Sequence, residues 1–283
     1  MADPFRTRDV VPDFDRHVAD YAARSLITRA RLPIHADIAY GPSPAERLDL
    51  FLPPAHRATG AVHMFIHGGY WRMFAKEDFS FVAETVTGAG AIAVIVDYAL
   101  MPAVRMETLV AQVRRARDWI AAHIGAYGGD ASRLTLSGHS AGAQLGALLL
   151  DATAPAVPIA GAVLLSGIYD LAPLQNSFLR ELIGLTDQEI REFSPLARNY
   201  PAGANIRLLV GELETAPFHQ QMNAFGAHLA IAAGRGVCQR TLPGADHMSI
   251  MADLGTPGTQ AAAHLVECVT AGRTAAADAG DQG

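Results

Sequence analysis

Short apolar runs alternate with longer amphipathic stretches along most of this 283-residue chain. Several of the runs, such as AIAVIVD at 91–97, are nearly continuous in apolar residues, which is typical of strands covered on both faces of a parallel sheet. The stretches between them carry apolar residues at a period near 3.6, which is typical of helices. This alternation predicts a doubly wound α/β domain, with a mostly parallel central sheet and helices on both faces.

The seven predicted strands lie at 47–53, 61–67, 91–97, 133–138, 161–167, 206–212 and 237–243. The predicted helices between them lie at 78–89, 104–124, 140–151, 217–234 and 257–271. An amphipathic N-terminal helix at 9–32 and an excursion at 168–200 fall outside the alternation. Because such excursions often shape a ligand crevice at the carboxyl edge of a sheet, we expect these two segments to form a small lid or cap. We predict a single domain over 1–271 and a disordered polar tail over 272–283.

The composition argues against several classes of protein. Half of the residues are hydrophobic, which excludes an intrinsically disordered chain. The formal charge is 22 − 28 = −6, without a basic run, so we expect neither nucleic acid nor a membrane as a partner. Two cysteines are too few for a disulfide scaffold or a cysteine-only metal site.

The first sixteen residues carry charges of both signs and lack the apolar core of a secretory signal. We therefore expect a cytoplasmic protein, and we expect it to act without a cofactor or a metal. The sequence does not fix the oligomeric state, and a homodimer is one assembly that we consider.

The strongest local signal is Gly-His-Ser-Ala-Gly at 138–142, between a predicted strand and a predicted helix. In that context a G-x-S-x-G motif forms a nucleophile elbow, a tight turn that projects the serine hydroxyl above the sheet. The alternative is a chance match, but the flanking strand and helix favour the functional interpretation. We predict Ser140 as the nucleophile and expect His139 to pack beneath the turn without a catalytic role.

A second signal is His-Gly-Gly-Tyr-Trp at 67–71, directly after a predicted strand. A glycine pair at this point leaves backbone N–H groups free to face a developing oxyanion. We predict an oxyanion hole formed by Gly68, Gly69 and Ala141. The alternative is a tight turn that only requires positive φ.

The base and the acid are predicted from chain order, which runs from serine through acid to histidine in this type of hydrolase. His247 follows the last predicted strand and is the predicted base. Glu214 lies deep enough in the loop after the preceding strand to turn back toward His247, so we predict it as the acid. Glu212 is the second choice. Asp246 is disfavoured because adjacent residues rarely reach the required carboxylate–imidazole geometry, and we expect Asp170 to cap a loop.

Six segments carry a resemblance to a known family: HGGYWR (67–72), GHSAGAQL (138–145), VLLSGIYDL (163–171), FSPL (193–196), GELETAPFHQQ (211–221) and GADH (244–247). They resemble the arylformamidase (kynurenine formamidase) branch of the α/β-hydrolases, over about residues 30–271. The resemblance implies an α/β-hydrolase fold, a triad of Ser140, Glu214 and His247, and hydrolysis of N-formyl-L-kynurenine to kynurenine and formate. The family more often has aspartate at the acid position.

An aryl substrate also suggests roles for aromatic and apolar residues near these motifs. We expect Tyr70, Trp71 and Phe74 to stack on the arene, and Phe178 and Met248 to close the pocket. Ordinary core packing is the alternative for each of them. The competing function is a general carboxylesterase for short acyl or aryl esters. A non-catalytic binding module is a third class, but it would require the loss of a triad residue.

Overall fold

A computed structural model describes residues 3–152, 158–201, 205–233 and 237–271, so the tail predicted at 272–283 lies outside the described residues. Within these ranges, eight strands form a single sheet. The strands are β1 (Ile34–Ala39), β2 (Arg47–Phe51), β3 (Val62–Ile66), β4 (Ile92–Val96), β5 (Leu134–His139), β6 (Gly161–Leu165), β7 (Asn205–Gly211) and β8 (Cys238–Leu242).

The strand order is β1-β2-β4-β3-β5-β6-β7-β8. The pairs β1–β2 and β2–β4 are antiparallel, and every later pair is parallel, which confirms the mostly parallel sheet. All seven predicted strands are present, but the prediction missed β1. This strand lies at the edge of the sheet, its residues are exposed or half-buried, and its register shifts between His35 and Ile38. It therefore lacks the apolar run that marks a buried strand.

The α-helices of the described residues are α1 (Phe14–Arg31), α2 (Ala83–Gly88), α3 (Met106–His123), α4 (Ala141–Leu149), α5 (Leu179–Ile183), α6 (Asp187–Phe193), α7 (Ala216–Ala233), α8 (Ser249–Leu254) and α9 (Gln260–Ala271). None of these helices combines the length and the apolar character needed to cross a membrane.

The core has two layers because successive side chains of a strand point to opposite faces. Met64 packs in the layer that contains α3, α4 and α7, whereas the next residue, Phe65, packs in the layer that contains α1, α2 and α9. Val94 and Ile95 on β4 divide between the layers in the same way. Both faces of the sheet are therefore covered, which confirms the predicted α/β architecture.

The N-terminal helix is shorter than predicted and mostly packs on the body of the domain. Arg24 donates to the backbone oxygens of Ala252, at 3.1 Å, and Gly255, at 3.0 Å, and Arg29 forms an ion pair with buried Asp49. The first turns of α1 reach the carboxyl edge of the parallel strands, where Phe14 lines a small cavity. The residues before the helix cover that edge more directly, together with the excursion that contains α5 and α6.

Candidate active site

Ser140 stands on a sharp turn between β5, which ends at His139, and α4, which begins at Ala141. Its backbone has φ 54° and ψ −117°, a conformation that non-glycine residues seldom adopt. The turn needs glycine on both sides of the serine. A Cβ atom on Gly142 would lie 2.1 Å from the oxygen of Ile66, and one on Gly138 would lie 2.3 Å from the oxygen of Gly142. The predicted elbow geometry is therefore present around Ser140.

His247 and Glu214 approach each other from separate loops at the same edge of the sheet. Glu214 follows β7 and His247 follows β8, and His247 Nδ1 lies 2.7 Å from Glu214 Oε2. Both side chains are buried, and His247 lines a cavity together with Ser140. Since Nδ1 is engaged by the carboxylate, the Nε2 atom of His247 is the nitrogen available to a substrate or a nucleophile.

The second oxygen of Glu214 is held by two donors. Ser166 Oγ donates to Oε1 at 2.5 Å, and the N–H of Gly211 donates to the same atom at 2.8 Å. Ser166 lies directly after β6, is buried, and has φ 51°. No sequence motif singles out Ser166. The only available signal was its place after a strand that neighbours β5 and β7.

The other acids considered in the sequence analysis have different partners. Glu212 is exposed and accepts the N–H of Gly244 at 2.8 Å. The carboxylate of Asp246 accepts the N–H of Met248 at 2.8 Å and that of Ser249 at 2.7 Å, where α8 begins. Asp170 accepts the N–H of Ala172 at 2.9 Å. These carboxylates stabilise turns, whereas Glu214 contacts the imidazole.

His139 packs beneath the turn as predicted, and it also holds the loop of His247. Its Nε2 atom donates to the backbone oxygen of His247 at 2.9 Å, and the two rings lie 4.6 Å apart. Burial, followed by the neighbouring His247, lowers the pKa of His139 well below its ordinary value. The imidazole of His139 is therefore neutral, with its proton on the donating Nε2 atom.

The loop at 67–71 lies against Ser140. A Cβ atom on Gly68 would be 3.2 Å from Ser140 Cβ, and Gly69 has φ +106°. Within the part of the chain that the structure describes, the N–H groups of Gly68 and Gly69 have no hydrogen-bond acceptor. Ala141 is the first residue of α4, where N–H groups have no partner inside the helix. Gly68, Gly69 and Ala141 therefore lie beside Ser140, and their N–H groups are the candidate donors to an oxyanion.

The side chain of His67 stabilises this loop. Its ring stacks on Tyr98, with centroids 4.3 Å apart, and on Phe79, with centroids 5.7 Å apart. Its Nδ1 atom lies 2.8 Å from the oxygen of Gly68, and its Nε2 atom lies 3.3 Å from Asp97 Oδ1. These contacts give His67 a structural role in the loop.

Four of the five predicted pocket residues line two small cavities beside Ser140. Phe74 and Met248 line the first cavity, Trp71 lines the second, and Tyr70 lines both. Phe178 lines neither cavity, and it packs edge-on against the outer side of Tyr70 with ring centroids 5.2 Å apart. The indole ring of Trp71 is also fixed by a hydrogen bond, since its Nε1 atom donates to Gln144 Oε1 at 2.9 Å.

Comparisons with known proteins agree with this architecture. The model of a family with the alpha/beta hydrolase fold matches residues 63–251. The kynurenine formamidase of Danio rerio is 33% identical over 227 residues, which cover 77% of this chain and 76% of that protein. The esterase LipQ of Mycobacterium tuberculosis is 28% identical over 75% of this chain and 56% of its own length.

Among solved structures, a protein from Silicibacter that is provisionally named a thioesterase superposes on this chain with a TM-score of 0.82. It is 24% identical, and the match covers 95% of this chain and 98% of that one, which demonstrates a shared fold. The family match and the formamidase relative show more than the fold. This chain is a hydrolase that belongs to the arylformamidase-like branch of the α/β-hydrolase family.

Proposed function

We infer that this hydrolase cleaves an aryl formamide, N-formyl-L-kynurenine, to kynurenine and formate. The observation that carries the inference is the aromatic loop at 67–71, which belongs to the sequence segments that resemble the arylformamidase branch and which lies directly against Ser140. The similarity to the formamidase of Danio rerio extends over about three quarters of both proteins, so it is not confined to the serine motif.

In the first half of the proposed reaction, Ser140 Oγ attacks the formyl carbon. His247 Nε2 takes the proton of the hydroxyl, and Glu214 stabilises the imidazolium through the 2.7 Å contact to Nδ1. The carbonyl oxygen becomes an oxyanion that accepts hydrogen bonds from the N–H groups of Gly68, Gly69 and Ala141. Each such donor contributes about 3 kcal/mol to transition-state stabilisation.

The second half begins when the C–N bond breaks and the imidazolium of His247 protonates the departing aniline nitrogen. A formyl ester on Ser140 remains. A water molecule, deprotonated by His247, then attacks this ester, and formate leaves as Ser140 regains its proton. An aniline is a better leaving group than an alkyl amine, and the formyl group requires little room. The small size of the formyl group suits the limited room beside Ser140.

The test is kcat/KM for N-formyl-L-kynurenine, formanilide and p-nitrophenyl acetate, measured for the wild type and for Ser140→Ala. We expect formylkynurenine to be the best substrate, and we expect Ser140→Ala to abolish turnover of all three while the circular dichroism spectrum is unchanged. If p-nitrophenyl acetate is hydrolysed as efficiently as formylkynurenine, the formamidase assignment is wrong.

The second candidate is a carboxylesterase for short acyl or aryl esters, which would use the same groups. The similarity to the esterase LipQ supports it. The candidates differ in the acyl group, because a formamidase needs room for hydrogen on the carbonyl carbon and an esterase needs room for carbon. A rise in kcat/KM from formyl to acetyl to butyryl esters of one phenol would favour the esterase.

A further inference from the structure

The segment at 3–9, which we call the N-terminal strap, lies over Ser140 and contacts three loops of the candidate site. Tyr70 Oη accepts the N–H of Thr7 at 2.9 Å and donates to the oxygen of Phe5 at 3.1 Å. Thr215, next to Glu214, donates to the oxygen of Pro4 at 2.6 Å. The carboxylate of Asp3 accepts the N–H of Phe178 in the excursion. The strap is therefore attached to the loop at 67–71, to the segment after β7 that contains Glu214, and to the excursion at 168–200.

With the strap in place, little room remains around Ser140. The first cavity has a volume of about 20 Å³ and the strap contributes Thr7 to its wall. The second has a volume of about 10 Å³ and the strap contributes Phe5. Cavities of this size hold about one water molecule each, whereas sites for small organic molecules usually measure about 300–1,000 Å³. A substrate with an aromatic ring does not fit unless a wall moves.

Phe5 is the wall best placed to move. The rest of the second cavity is formed by the loop at 67–71, the first turns of α4 and α7 with the residue before α4, and the excursion: Tyr70, Trp71, Ser140, Ala141, Ile168, Leu174, Leu179 and Phe218. Phe5 belongs to the strap, which is joined to the domain through α1. Apart from the hydrogen bonds given above, the strap is held by a hydrogen bond between the hydroxyls of Thr7 and Tyr70 at 2.6 Å and by Arg6, which lies 5.6 Å from the centroid of the Phe178 ring. The buried ring of Phe5 packs edge-on against Phe218, with centroids 6.1 Å apart.

We propose that Phe5 occupies the subsite for the organic group of the substrate, and that an aromatic substrate binds by displacing Phe5 from it. The subsite is apolar and adjoins Ser140 and Ala141. Its wall residue Phe218 also packs on the imidazole of His247, with centroids 4.5 Å apart. A flat aryl group in place of Phe5 would thus lie beside both the nucleophile and the base. This proposal rests on the proposed site at Ser140, but not on the identity of the natural substrate.

Two sulfonyl fluorides that differ only by a phenyl group test the proposal. Each reacts when Ser140 Oγ bonds to sulfur, the S–F bond breaks, fluoride leaves and His247 takes the proton. Methanesulfonyl fluoride needs no aryl subsite, whereas phenylmethanesulfonyl fluoride needs the space that Phe5 fills. The second-order rate constants of inactivation are compared for the wild type, Phe5→Ala, and Val10→Ala, an exposed valine just beyond the strap that serves as the control.

We expect Phe5→Ala to accelerate inactivation by the phenyl reagent about tenfold or more, because the open state no longer has to be selected from a minor population. The methyl reagent should change less than about twofold, and Val10→Ala should change neither. Equal changes for both reagents, or slower reaction of Phe5→Ala with the phenyl reagent, would overturn the proposal.

A crystal structure of the wild type after reaction with the phenyl reagent gives a second test that needs no variant. The benzyl group should occupy the former position of the Phe5 ring. A benzyl group elsewhere, with Phe5 in place, would overturn the displacement. Failure of both reagents to label Ser140 would refute the serine site and this proposal with it. Labelling without turnover of formylkynurenine would refute only the substrate.

Discussion

Removal of the Ser166 hydroxyl should lower kcat without a comparable change in KM. Ser166 touches no reacting atom in the proposed mechanism, and it acts by holding Glu214, whose other oxygen contacts His247. Correct orientation of this carboxylate matters most when the imidazolium forms in the transition state. Ser166 is therefore a positioning residue in this mechanism.

The magnitude follows from the two donors on Glu214 Oε1. A hydrogen bond to a charged group contributes about 1.5–3 kcal/mol, and the N–H of Gly211 remains after the hydroxyl is lost. We therefore take the lower end, about 1.5 kcal/mol, which corresponds to roughly a tenfold decrease in kcat.

Two replacements separate this effect from a loss of stability. Ser166 has φ 51°, a region in which alanine is strained by about 1–2 kcal/mol and glycine is not. Ser166→Gly should therefore unfold at a higher temperature than Ser166→Ala, while both show the same decrease in kcat. Ser25→Ala is the control, since it removes a buried hydroxyl that accepts the N–H of Phe81 at 3.3 Å and lies outside both cavities.

The assay is steady-state hydrolysis of the best substrate, together with thermal unfolding followed by circular dichroism. If kcat of both Ser166 variants stays within about twofold of the wild type, Ser166 does not position the acid. If kcat follows the melting temperature across the three variants, the effect is one of stability alone.

Two further predictions concern the acid loop and a buried histidine. Glu214→Gln should lower kcat by a factor of about 10⁴, as expected for loss of a triad carboxylate. Glu212→Gln should leave kcat within about twofold of the wild-type value. The reverse result in steady-state kinetics would reassign the acid. Burial lowers the pKa of His63 to about 3, so unfolding takes up a proton below pH 6.5 and stability falls as the pH decreases from 6.5 toward 3. At pH 4.5 this effect lowers the free energy of unfolding by about 3 kcal/mol. In urea unfolding, the stability of His63→Gln should therefore depend less on pH than that of the wild type. An identical pH dependence in the two proteins would contradict this prediction.

The sequence predicts the central part of the fold well because buried parallel strands leave continuous apolar runs. It fails at β1, whose exposed edge position leaves no such run. The pairing of Glu214 rather than Glu212 with the imidazole follows from loop length, since the residue further from the strand end can turn back toward the neighbouring loop.

Two features of the site depend on tertiary contacts that leave no local pattern. The contact of Ser166 with Glu214 joins residues 48 positions apart, and a serine at positive φ looks like any other serine in a sequence. The strap is similar, because the contact of Phe5 with Phe218 joins the segment before α1 to the first turn of α7, which is far from it in the sequence. The sequence indicates a cap, but not that residues before α1 would fill the substrate space.

The variable position of the serine motif has a specific task in this chain. Because the imidazole of His139 grips the main chain of His247, the turn that presents the hydroxyl and the loop that presents the base form one mechanical unit. Their spacing is thus set in the empty enzyme, before any ligand arrives. A residue without a hydrogen-bond donor at position 139 would leave the buried carbonyl of His247 without this partner. The two loops could then move relative to each other, although every member of the proposed triad would still be present.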